Sequence, residues 1–293
     1  MAHLKNRFIG SVVVLAMLAV VGCNQNVPGD GDGGDGGDDL APKIPPQSTF
    51  VIELEDFEDA NTNGDVGTNG MVDVGTNGAI ERGNWLYAGG TTFVWNVILT
   101  VNLVVPVAAF VESFNHQPTL GADGIWRWQY DFRVFSINHS AELQGQINGA
   151  TIDWNMFLTK EGEYTDYNWF SGQSNILGTS GTWSLNRDPS NPSPFIQIEW
   201  NHDEETGEND IRYTNVIPDS DDNGGYIFYG VNNETPYNAF YEIYRAAQDA
   251  TTEMEWNRET KEGRVKDPAH YGDDEYRCWD DSLIDTECPE DGA

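Results

Sequence analysis

Basic residues are scarce. Fifteen Lys and Arg stand against 48 Asp and Glu, for a formal net charge of −33 over 293 residues. A chain so charged has no electrostatic footprint for nucleic acid and cannot dock on anionic lipid by charge. Cysteine is nearly absent, with three in the chain, which excludes a disulfide-dense scaffold. The five histidines are scattered and none stands at metal-ligand spacing from another. GxSxG, HExxH and P-loop sequences are missing, so the local signatures of serine hydrolases, zinc proteases and nucleotide binders do not apply. The acidic excess fits a saline habitat, cation binding or simple solubility.

At the N-terminus, His3, Lys5 and Arg7 precede an uncharged apolar run from Phe8 to Val21. That run has the length of a signal-peptide core and is too short to span a bilayer. Val20-Val21-Gly22-Cys23 follows, and this ending resembles the lipobox of bacterial lipoproteins. The resemblance covers residues 1–23. It implies a signal peptide over 1–22, cleavage before Cys23, and acyl chains on Cys23 that attach the protein to a membrane. Asn24 stands where Asp would be the inner-membrane retention cue, so the expected address in a Gram-negative cell is the outer membrane.

Lipidation of Cys23 leaves Cys278 and Cys288. In an oxidising compartment two remaining cysteines pair, and a disulfide is expected, worth about 2–3 kcal/mol by loop entropy. A metal or redox pair is the alternative, but the spacing fits neither a CxxC site nor a zinc ribbon. Residues 23–48 read as a flexible linker, with Asp30, Asp32, Asp35, Asp38 and Asp39 among glycines and then Pro42, Pro45 and Pro46. Residues 49–293 read as a single domain with a polar tail from Pro268, pinned by the disulfide.

Hydrophobic periodicity in that domain is two. Trp126, Trp128, Tyr130, Phe132 and Val134 alternate with Arg127, Gln129, Asp131 and Arg133. Ala141 to Ile147 and Ile152 to Leu158 behave alike, separated by Asn148-Gly149, a type I′ hairpin signal. Further strand candidates lie at 183–185, 195–200, 211–216, 226–231, 239–245, 252–256 and 264–266. The expected fold is all-β, an antiparallel meander forming a barrel or sandwich of roughly eight to ten strands, with one short helix possible. Polar alternation on the outer face argues against a transmembrane barrel. Trp95 to Phe110 fits either two buried strands or a helix ending near Pro106.

Asp59, Asn61, Asn63 and Asp65, followed by Gly64 at position six and Val66 at eight, resemble the calcium loop of EF-hands and dockerins. The resemblance implies calcium as a possible cofactor, although Gly70 occupies the closing position. The alternative is a turn-rich loop, since Asp65–Gly70 repeats as Asp73–Gly78. Asp219, Asp221, Asn223 and Gly224 imitate the spacing where a hairpin turn is expected. Glu253 and Glu255 share one face of a strand and so form a carboxylate pair of the kind glycosidases use, or a solvated edge. Glu53, Glu55 and Glu58 do not match the acidic strand of laminarinase-like hydrolases. Gly124-Ile125-Trp126 resembles the Gly-x-Trp start of lipocalins, which implies a partner arginine, here Arg258.

Aromatic residues are the abundant class, with ten Trp, twelve Tyr and thirteen Phe. Trp126, Trp128, Tyr130 and Trp154 are candidate ligand-binding rings; the alternative is that they fill the sheet interior. The expected function is a non-enzymatic binding module for an apolar small molecule or a glycan. A structural or adhesive surface lipoprotein is the first alternative, and a hydrolase with an unrecognised site the second.

Overall fold

Alternation governs the chain from Trp126 onward. The computed structural model describes residues 41–50, 57 and 82–289, with the side chains of 94 and 96–102 excepted. Residues 1–22, expected as a signal peptide, Cys23, residues 24–40 of the expected linker and the Asp59–Asp65 loop lie outside the described residues. Fourteen antiparallel strands form one sheet in strict sequence order. They are β1 (Thr119–Leu120), β2 (Trp126–Val134), β3 (Ile137–Asn148), β4 (Thr151–Lys160), β5 (Tyr164–Asn175), β6 (Ser180–Asp188) and β7 (Asn191–His202). The second half comprises β8 (Asn209–Asn215), β9 (Tyr226–Val231), β10 (Ala239–Arg245), β11 (Ala250–Trp256), β12 (Gly263–Lys266), β13 (Arg277–Trp279) and β14 (Asp285–Thr286). The all-β meander expected from the periodicity is thus present, with more strands than the eight to ten anticipated. The first and last strands do not pair, so the sheet stays open.

A helix takes the place of closure. Helix α1 (Gly83–Ser113) packs on β2 and β3 near one edge of the sheet and on β12, β13 and β14 near the other. The sheet therefore curls around it. Trp85, Ala88 and Thr92, and again Leu103, Pro106 and Phe110, are buried along α1, each set at three- and four-residue steps. The expectation of a helix ending near Pro106 is corrected: α1 starts at Gly83 and runs through the proline to Ser113. Pro106 costs one backbone hydrogen bond, but its ring sits in the buried stripe and the surrounding sheet covers the helix on several sides. The many β-branched residues of this stretch favour strand in isolation, and enclosure outweighs that preference.

The N-terminus of α1 lacks a side-chain cap from Arg82. Asp285 of β14 supplies one instead, accepting from the Gly83 and Asn84 backbone N–H groups at 3.0 Å each. Asn84 Nδ2 donates to the Cys278 carbonyl at 3.0 Å. Near the other end of α1, the Tyr130 hydroxyl of β2 donates to the Ala109 carbonyl at 2.5 Å. Both edges of the open sheet are thereby tied to one helix.

Tryptophan and glycine alternate across the inner face. Register places Trp126 opposite Gly145, Gly145 opposite Trp154, Trp154 opposite Gly172 and Gly172 opposite Trp183. Gly181 faces Trp200, and Gly263 faces both Trp256 and Trp279. A Cβ added at Gly145 would stand 2.8 Å from the Trp154 ring, at Gly172 2.4 Å from Trp183, at Gly181 2.6 Å from Trp200 and at Gly263 2.4 Å from Trp279. Each indole lies over a glycine of the neighbouring strand. That arrangement fits large rings inside a tightly curled sheet at interior packing density.

The N-terminal segment completes the core. Residues 41–50 cross the end of the sheet that carries the β7–β8 turn, where Lys43 pairs with Glu204 at 2.5 Å. Pro42 and Pro45 are buried. Phe50 contacts Phe110, Phe170 and Trp183, and Phe57 contacts Tyr241, Trp256 and Trp279. The tail is also more structured than its polarity suggests: helix α2 (Pro268–Tyr271), β13 and β14 lie in it, and Trp279 is buried. The Cys278–Cys288 disulfide is formed, with Cα atoms 5.1 Å apart.

Two local details depart from expectation. The β3–β4 turn is Gly149-Ala150 rather than Asn148-Gly149, because Asn148 pairs with Thr151 as the last strand residue. Only Gly149 takes positive φ there, the sign pattern of a II′ turn. The I′ pattern falls instead at Phe135-Ser136 between β2 and β3, with φ of 47° and 67°.

Candidate functional site

Sequential antiparallel order puts the β2–β3, β4–β5, β6–β7, β8–β9 and β10–β11 turns at one end of the curled sheet. The N-terminal segment crosses the opposite end. At the first of these ends two cavities open beside α1, of about 510 and 760 Å³, sharing Val105, Trp169 and Asp188 as walls. The larger has the size of a small-molecule site.

Two β-bulges build its walls. In β5, Met156 pairs with Phe170 and Phe157 with Asn168, which leaves Trp169 as the extra residue. In β7, Leu185 pairs with Ile196 and Asn186 with Pro194, which leaves Phe195 extra. Each bulge breaks the period of two, so Trp169 and Phe170 are both buried, as are Phe195 and Ile196. Trp169 and Phe195 line the larger cavity. The displaced backbone is satisfied locally: Asn186 Nδ2 donates to the Asn168 carbonyl at 2.9 Å, and the Val216 N–H to the Phe195 carbonyl at 3.0 Å. From α1 come Trp95, Val104 and Val105, and from the β8–β9 connection Ile217. These walls are apolar; Arg187, Asp188, Asp222 and Arg245 stand among them.

Arg245 belongs to a network that locks this side of the fold. It bonds Asp267 at 2.8 Å, Thr252 at 2.5 Å and Gln248 at 2.9 Å. The Asp267 side chain is wholly buried. It also accepts from the hydroxyls of Tyr87 on α1 and Thr252 on β11, and from the Ala269 and His270 N–H groups that open α2. Burial by itself raises the Asp267 pKa; the hydrogen bonds from Thr252, Tyr87 and Arg245 outweigh it and hold the carboxyl below its ordinary value. Tyr87 is pushed the other way by burial and by Asp267, so it remains a donor.

The smaller cavity holds His139 and Tyr164, with the Tyr164 hydroxyl 3.2 Å from His139 Nδ1. Burial, helped by Lys160, lowers the His139 pKa and leaves the imidazole neutral at pH 7. Burial raises that of Tyr164 to about 12. Asp188, on the shared wall, is held below the usual carboxylate range by the Ser190 hydroxyl and by the Ser190 and Asn191 N–H groups.

The four rings singled out from sequence lie elsewhere. Trp126, Trp128, Tyr130 and Trp154 are buried in the interior and line neither cavity. Tyr130 is bonded to α1, and Trp154 Nε1 donates to Ser174 Oγ at 2.9 Å. Their packing follows the alternative of interior filling. Glu253 and Glu255 sit on the outer face, paired with Lys266 at 2.8 Å and Arg264 at 2.7 Å. Asp219, Asp221 and Asn223 are exposed in the β8–β9 connection. Among the described residues no three His, Cys, Asp or Glu side chains gather as a metal site. Arg258 stands in the turn after β11, nine strands along the sheet from Trp126, and a fourteen-stranded open sheet around a helix is not the eight-stranded closed barrel that the Gly-x-Trp resemblance implies. The cavity aromatics were legible only as the adjacent pairs Trp169-Phe170 and Phe195-Ile196, which break the alternation around them. Comparison with protein-family models, with curated proteins and with solved structures finds no match.

Proposed function

We propose that this chain is an exported β-domain, held at a membrane by acyl chains on Cys23, that binds an apolar small molecule without transforming it. In a Gram-negative cell its address is the outer membrane. The observation that carries the reading is the pair of bulged aromatics, Trp169 and Phe195, set into the wall of a 760 Å³ cavity. Bulges that re-aim side chains concentrate beside binding sites, and a concave, mostly apolar space with a few polar groups is what a small ligand needs. A glycan is less well served by the tryptophans, because nine of the ten are buried and stacking on sugars needs exposed ring faces. One observation does favour a glycan as the second reading. The outer face of β8–β10 carries the partly exposed rings of Tyr226, Phe228 and Phe240, with the Arg212 guanidinium 4.3 and 4.6 Å from the first two.

Native mass spectrometry of residues 24–293 tests the proposal. That piece retains the whole compact unit from Gly37 onward. Purified gently from a secreting host, it is expected to carry an added mass of several hundred daltons that organic extraction removes. A bare chain that also fails to take up any member of an apolar small-molecule panel would contradict the reading.

A further inference from the structure

The polar groups of the larger cavity are unequal in kind. Arg245 is spent on Asp267, Thr252 and Gln248. Asn215 Oδ1 accepts from the Ile217 N–H at 3.0 Å and Gln248 Oε1 from Arg245 at 2.9 Å. What these two amides have left are their N–H₂ donors. Trp169 is nine-tenths buried, and its indole N–H has no partner among the described residues. Asp188 commits one carboxylate oxygen to the β6–β7 turn.

Arg187 is the outlying group. Its side chain is exposed at the cavity and makes no hydrogen bond, close ion pair or ring contact among the described residues; its charge acts on the neighbouring Asp188, whose carboxyl it helps to hold down. Arg127, Lys160, Arg264, Lys266 and Arg277 each hold a carboxylate. In a chain with 48 acidic residues for 15 basic ones, a guanidinium that closes no ion pair at a mostly apolar cavity is out of keeping with its surroundings. The uncommitted capacity is donor-rich, facing walls of Trp95, Val104, Val105, Phe195 and Ile217. Two acids remain: Asp188, half-buried with one oxygen uncommitted beside Arg187, and Asp222, exposed on the β8–β9 connection, where water and salt screen it.

We propose that the cavity takes an acidic amphiphile, with its apolar body between α1 and the bulged aromatics and a carboxylate head on Arg187. This rests on the cavity-binding reading above and specifies its ligand class. A planar guanidinium receives a carboxylate through two parallel N–H bonds, and the free amide groups of Asn215 and Gln248 supply further donors nearby. Arg187 is the specificity-determining residue; the apolar walls supply affinity that does not depend on the head.

The test compares oleate with methyl oleate, each below its solubility limit, in displacing the neutral fluorophore N-phenyl-1-naphthylamine from residues 24–293. Wild type and Arg187→Gln are titrated side by side. Oleate is expected to bind about tenfold more tightly than the ester to wild type, the usual worth of a charge-assisted bond, and equally to Arg187→Gln. Equal affinities on wild type, or a preference for oleate that survives Arg187→Gln, would overturn the proposal and leave the cavity reading intact. So would binding of the fluorophore without either oleyl compound. Failure of all three probes would strike the cavity reading itself, and the proposal with it.

Discussion

Replacing Asp267 by Asn changes one atom in a side chain of zero exposure and should cost more than any surface change in the protein. The carboxylate accepts from Thr252 at 2.5 Å, Tyr87 at 2.5 Å, Arg245 at 2.8 Å, Ala269 N at 3.0 Å and His270 N at 3.2 Å. The amide removes the charge and sets an N–H₂ group against donors. Breaking a buried pair typically costs 3–5 kcal/mol. The Arg245 side chain retains 26% exposure and can rehydrate, so the low end applies, about 3 kcal/mol. Tyr87→Phe deletes one bond to a charged acceptor and should cost about 2 kcal/mol. The double variant should fall short of the sum by about 1 kcal/mol, because both changes act on one contact. The pH dependence has a definite sign. A carboxyl whose folded pKa is depressed stabilises fully above its unfolded value, ordinarily 3.8. That stabilisation is lost as pH falls through the lower folded value. The gap between wild type and Asp267→Asn should therefore be constant near neutrality and shrink below about pH 4. Urea unfolding at pH 7 and at pH 3 measures both. A loss under about 1 kcal/mol at pH 7, or a gap that widens in acid, would refute the reasoning.

Three further changes probe other parts of the fold. In Gly172→Ala the new Cβ would stand 2.2 Å from the Thr182 carbonyl oxygen and 2.4 Å from Trp183; backbone cannot yield cheaply, so unfolding free energy should drop by about 3 kcal/mol or more, whereas an unchanged urea midpoint would contradict the Trp-over-Gly packing. Joint replacement of Cys278 and Cys288 by Ser opens a loop of sequence separation 10 and should cost about 2–3 kcal/mol by thermal unfolding, with the cavity unaltered because neither residue borders it. Asp285→Ala removes the cap from the first turn of α1 and should cost about 1 kcal/mol, seen in hydrogen exchange as faster exchange at Gly83 and Asn84.

Strands with clean alternation could be read directly, because one buried face and one wet face impose a period of two. β2 and β4 follow it residue by residue, and β3 does so from His139 to Gly145, with Ile147 exposed beyond. β5 escaped because its bulge puts Trp169 and Phe170 on the same side. β13 and β14 escaped because short strands in a polar tail carry no periodicity of their own and owe their place to bonds with the start of α1, 194 to 202 residues away in sequence. The reach of α1 was hidden by its composition: valines and a proline argue locally against helix, and only the enclosing sheet reverses the balance. The candidate site was hidden for the same reason as β5. Periodicity identifies the rings that fill a core, such as Trp126 and Trp154, and the cavity is lined by residues that depart from it. Trp-over-Gly pairing likewise needs the register, since nothing in the local sequence of Gly145 or Gly172 marks a tryptophan overhead.

The central claim is that the aromatic-walled cavity binds an apolar ligand, and a filled cavity tests it most directly. Ile217 is half-buried at the cavity, so Ile217→Trp should occupy the space with little effect on the core. Titration of residues 24–293 with N-phenyl-1-naphthylamine, read as fluorescence enhancement, should saturate at one probe per wild-type chain and weaken at least about tenfold in Ile217→Trp, with thermal unfolding of the variant unchanged. Equal, saturable binding by both proteins would place the apolar site elsewhere, and no saturable binding by wild type would contradict the account.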